Sequence, residues 1–71
     1  MELSEFKDLM NQRLKENEWK GGWDELTLDE LHGMLARKVI LIGKALENDE
    51  SQVPRLAADA ANYAYMLADS V

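Results

Sequence analysis

The sequence predicts an all-α fold: a three-helix protomer that assembles into a helical-bundle dimer or tetramer. Three observations carry this expectation. Apolar residues recur at helical three-to-four spacing through three segments, and no segment alternates with period two. Two breaks, the glycine pair of "WKGGW" and the polar, acidic "ENDESQ", separate the segments. The chain has 71 residues and no cysteine. A single core of that size is marginal without disulfides, metal or a partner chain.

The first helix is expected over about residues 3–18. Ser4 is a candidate N-cap, and Leu3, Phe6, Leu9, Met10, Arg13 and Leu14 follow helical spacing. It stops before Gly21 and Gly22, which permit unusual backbone angles. The second helix, about 28–46, opens on "TLDE": Thr27 as N-cap and Glu30 three residues on form a capping box. The third, about 52–68, follows Ser51 as a candidate cap and carries Pro54 in its first turn, where a missing N–H costs little. The whole of 1–71 reads as one domain.

At about 100° per residue, Leu28, Leu31, Leu35, Val39, Ile42 and Leu46 make one stripe, the expected core seam of the second helix. Met34, Ile40 and Leu41 point largely the other way, beside Glu30, Arg37 and Lys44. On the third helix, Val53, Ala57, Ala60, Ala64 and Leu67 form a seam of mostly small residues. Asp59, Tyr63 and Met66 face another side, with Asn62 at its edge. Both helices therefore carry an extra semi-apolar face. It suits an oligomer interface, with Met34, Ile40, Leu41 and Leu56 as its expected residues, or a ligand site at a subunit junction.

Charge and composition narrow the function. Fourteen acidic and eight basic residues give a net charge of −6. That argues against duplex nucleic acid, which needs a clustered basic face. It leaves room for a small anion held by a few local cations. No run approaches the ~20 apolar residues of a membrane span, and "MELSEFKDLM" is unlike a signal peptide. The expectation is a cytoplasmic protein without membrane partners.

"ENEWKGGWDELTLDEL", "LARKVILIGKAL" and "LAADAANYAYMLAD" together resemble the MazG-like, all-α nucleoside triphosphate pyrophosphohydrolases, above all the short versions common in phages and mobile elements. The resemblance covers about residues 6–69. It rests on the loop Lys20–Trp23, the capped start of helix two, Lys44–Leu46 and the block Ala57–Asp69. It implies a dimer or tetramer in which carboxylates of the two central helices, in E-E-x-x-E and E-x-x-D patterns, bind magnesium. Magnesium prefers hard oxygen ligands and bridges substrate phosphates. Here the first three acid positions hold Arg37, Lys38 and Leu41, and the first acid position on helix three holds Leu56. Asp59 alone remains, with Arg55 one turn before it as a candidate partner. The expectation is an impaired pyrophosphohydrolase with no catalytic residues and no cofactor, Mg2+ entering only if residual activity exists.

Three readings stay open. The favoured one keeps a nucleotide without turning it over: Arg37 and Lys38 hold phosphates by charge, Lys20 and Lys44 add to the patch, Trp23, Tyr63 or Trp19 stacks on a base, and Asp59 and Asn62 line the site. Such a protein would sequester a nucleotide signal. The second is an oligomeric interaction module without ligand. The third is residual (d)NTP pyrophosphohydrolase activity. His32 stands without a second ligand at metal spacing and reads as a packing residue. Trp19 and Trp23 read more readily as loop anchors than as base platforms, and Tyr63 and Tyr65 point to different sides of helix three.

Overall fold

The computed structural model describes residues 1–17 and 22–71. These form three helices: α1 (Leu3–Glu16), α2 (Leu28–Asn48) and α3 (Val53–Ser70), with a single 3-10 turn, Glu50–Gln52, between the last two. No strand occurs among the described residues. α3 is the central element and packs against both α2 and α1. No helix among the described residues is long and apolar enough to cross a membrane.

The helix ends follow from local chemistry. The Thr27 hydroxyl accepts the Glu30 N–H at 3.0 Å, and the Glu30 carboxylate accepts the Thr27 N–H at 3.1 Å. This satisfies two N-terminal donors that the helix leaves unpaired. At α1 the cap is Glu2 and not Ser4: the Glu2 N–H donates to Glu5 at 3.1 Å, so the box sits two residues earlier. Ser51 does not cap α3. Its N–H and hydroxyl instead donate to the Asp49 carboxylate, which closes the 3-10 turn, and Pro54 then sits in the first turn of α3. Gly22 takes φ +88°, a region that L side chains avoid, and so lets the chain turn toward Trp23.

The interior is small. Leu31, Ala45, Ala58 and Met66 are its buried apolar residues, and α1 has no fully buried residue. The inward face of α2 is Leu31, Lys38 and Ala45, one heptad apart, flanked by half-buried Met34, Leu35, Leu41 and Ile42. Two expectations change here. Met34 and Leu41 lie on the buried flank of α2 and not on its outer side, whereas Leu28, Val39 and Leu46 of the expected core seam are exposed. On α3 the expected small-residue seam is half-buried, with Ala64 exposed, and the inside row is Ala58, Asp59, Asn62 and Met66. The reason is the central place of α3. Its polar residues find partners on both neighbours, so the polar row is the one that goes inside.

Candidate functional site

Asp59 sits 3% exposed on α3. Arg13 of α1 grips it with the flat end of its guanidinium: Nε donates to Oδ1 at 2.8 Å and Nη2 to Oδ2 at 3.0 Å. Lys38 Nζ of α2 lies 3.1 Å from Oδ2. One carboxylate therefore ties all three helices together. The remaining Arg13 nitrogen, Nη1, donates to Glu16 at 2.7 Å. Arg55, the expected partner of Asp59, is exposed, and Arg13 and Lys38 take the carboxylate in its place. A forked, hydrogen-bonded pair outcompetes a single contact along one helix.

Burial pushes the Asp59 carboxyl up, but hydrogen bonds from Arg13 and Lys38, with their charges, outweigh it and hold it below the usual 3.8. The bond to Asp59 likewise raises Arg13 above its ordinary value. Tyr63, half-buried nearby, is pushed up by burial and by the charge of Asp59. A carboxyl lowered in the folded state stabilises the fold above its unfolded value and loses that contribution as pH falls through its folded value. Urea midpoints should therefore hold steady from about pH 7 to pH 5 and fall below about pH 4. Asp59→Asn should flatten part of that acid drop, the remainder coming from groups such as Asp49, which Ser51 also holds low. A drop of equal size in the variant would remove Asp59 from the account.

Because both Asp59 oxygens accept from cations, this carboxylate does not fit a magnesium ligand. No group of three or more metal-ligating side chains is placed to hold an ion among the described residues.

A separate cleft lies between α1, Trp23 and α3. It is about 300 Å3 and is lined by Lys7, Met10, Asn11 and Leu14 of α1, by Trp23, and by Asn62 and Tyr65 of α3. The Trp23 and Tyr65 rings meet edge to face, centroids 5.6 Å apart at 74°. Asn62 Nδ2 donates to the Met10 carbonyl at 3.0 Å. Two polar atoms of the lining residues are buried without a hydrogen-bond partner: Trp23 Nε1, a donor, and Asn62 Oδ1, an acceptor.

Of the residues expected to bind a nucleotide, Trp23 and Asn62 meet in this cleft. Lys38 and Asp59 pair with each other elsewhere, Tyr63 belongs to the Asp59 side, and Arg37 is exposed. Lys20 and Trp19 lie outside the described residues. Of the expected interface residues, Ile40 is exposed, while Leu56 is half-buried like Met34 and Leu41. Sequence reasoning missed Arg13, Lys7, Asn11 and Tyr65 as site residues. Arg13 carried a signal, a charge standing in the inward row of α1, as Lys38 does in the row Leu31–Lys38–Ala45. No protein-family model, curated protein or solved structure matches this chain.

Proposed function

We propose that the protein binds a nucleotide-like ligand, a planar heterocycle with an anionic tail, in the cleft between α1, Trp23 and α3, and holds it without turnover. The observation that carries this is the pair of unpartnered buried atoms. A buried polar group without a partner costs about 1–3 kcal/mol. Trp23 has an unpaired buried N–H and Asn62 an unpaired buried carbonyl oxygen, and both residues line one cleft. A ligand offering an acceptor and a donor on one edge, as a nucleobase does, satisfies both. Met10, Leu14 and the aromatic pair supply apolar walls, and Lys7 supplies a point charge for phosphate.

Holding without hydrolysis follows from Asp59, whose oxygens are committed to Arg13 and Lys38. The likeness to MazG-type pyrophosphohydrolases supports the choice of a nucleotide. In this reading the phosphate-binding role passes from Arg37 and Lys38 to Lys7.

Calorimetric titration with nucleosides, mononucleotides and inorganic phosphate, in the presence of chelator, tests the proposal. Trp23→Phe keeps a ring against Tyr65 and deletes the N–H. It should weaken nucleoside and nucleotide alike by about tenfold, the worth of one hydrogen bond. Lys7→Gln should weaken the nucleotide and leave the nucleoside unchanged. A flat response across the panel, or full affinity in Trp23→Phe, would overturn it.

A further inference from the structure

We infer that the cleft between α1, Trp23 and α3 takes a nucleoside monophosphate and discriminates against di- and triphosphates. The inference rests on the nucleotide reading above and adds the number of phosphates. It runs against the triphosphate that the likeness in sequence implies.

The charge of the cleft sets that number. Among its described lining residues Lys7 is the one cation and none is a carboxylate, although fourteen residues of the chain are acidic. Lys7 is exposed and makes no ion pair among the described residues. Its neighbours one turn away on α1 are Leu3, Ser4, Met10 and Asn11, so no acid stands where it could pair along the helix. The charge is left for a ligand. Arg13 is committed to Asp59 and Glu16, and Lys38 to Asp59. Lys15, the remaining cation of α1, does not line the cleft.

Position and size agree with one phosphate. Asn62 holds the Met10 carbonyl, and Lys7 stands one turn before Met10, about 5 Å along α1. That offset leaves room for one sugar between a base seated at Asn62 and a phosphate at Lys7. The volume, about 300 Å3, is at the lower end for ligand sites. A phosphate chain running on past Lys7 meets the start of α1, where Glu2 and Glu5 form the capping box. Their carboxylates already take N–H groups of the helix start, and they set two negative charges in the path of further phosphates. No group of three metal-ligating side chains among the described residues brings in a divalent ion to offset them.

Calorimetric titration of the full chain with one nucleoside carrying none, one, two or three phosphates, in chelator at about 50 mM salt, tests this; the long screening length there keeps charge effects visible. The monophosphate should bind about tenfold tighter than the nucleoside and about tenfold tighter than the triphosphate. At about 0.5 M salt the gap between mono- and triphosphate should narrow to about twofold. Lys7→Gln, at an exposed position, should bring the monophosphate down to the affinity of the nucleoside. Ser4→Lys, exposed and one turn before Lys7, should tighten the triphosphate about tenfold and leave the nucleoside unchanged. Affinity that climbs with each added phosphate, or a triphosphate unmoved by Ser4→Lys, would overturn the inference while the nucleotide reading stands. A monophosphate no tighter than the nucleoside would overturn it and remove the phosphate from that reading. No binding across the series would overturn both.

Discussion

Asp59→Ala should lower stability by about 3 kcal/mol, the lower part of the range for breaking a buried ion pair, because Lys38 keeps some contact with water. The loss has two sources. Three charge-assisted contacts disappear, and Arg13 is left with a 12% exposed side chain and, among the described residues, Glu16 as its counter-charge. A chain of this size has about 3–5 kcal/mol in all. The variant should therefore be largely unfolded in dilute buffer at low concentration. Urea denaturation followed by circular dichroism measures it. Arg13→Ala should cost less than Asp59→Ala, since Lys38 then still neutralises Asp59. If Arg13→Ala proves as costly as Asp59→Ala, Lys38 contributes nothing, and the carboxylate joins two helices and not three.

Leu31→Ala should cost about 2–5 kcal/mol through lost burial and the cavity left behind. Leu31 and Met66 are the two largest fully buried side chains, and the other buried apolar residues, Ala45 and Ala58, are small. Among the described residues, the alanines of the fully buried set have too little volume to fill the gap. Leu28→Ala, one turn earlier on α2 and half-exposed, provides the contrast and should cost well under half as much in the monomer. Paired thermal melts at low protein concentration read the difference. Equal shifts would mean that α2 is packed around Leu28 and not Leu31, against the burial described above.

Much of the fold was legible because it is written locally. The Thr27–Glu30 box, Gly22 before Trp23 and the polar break after Leu46 each act over a few residues, so the helices could be placed within about two residues of their described ends. The inside row of α3 was not legible. Asp59 and Asn62 look like surface residues until Arg13 and the Met10 carbonyl, 46 and 52 residues away in sequence, supply their partners. Periodicity along one helix carries no information about a partner on another. The stripe on α2 was half legible for a related reason. Three-to-four spacing marks an apolar face but does not say which quarter-turn meets α3. The cleft escaped because its walls, Lys7, Trp23 and Tyr65, come from three separate segments.

α1 has no buried residue, yet it forms one whole wall of the cleft. It is moored by the Arg13 fork, the Met10 carbonyl and a half-buried apolar edge. Peeling it away leaves the α2–α3 hairpin's own contacts intact. The cheapest excursion of this molecule is thus the one that unroofs Trp23 and Asn62, and a guest seated between them acts as a latch on the amino-terminal arm.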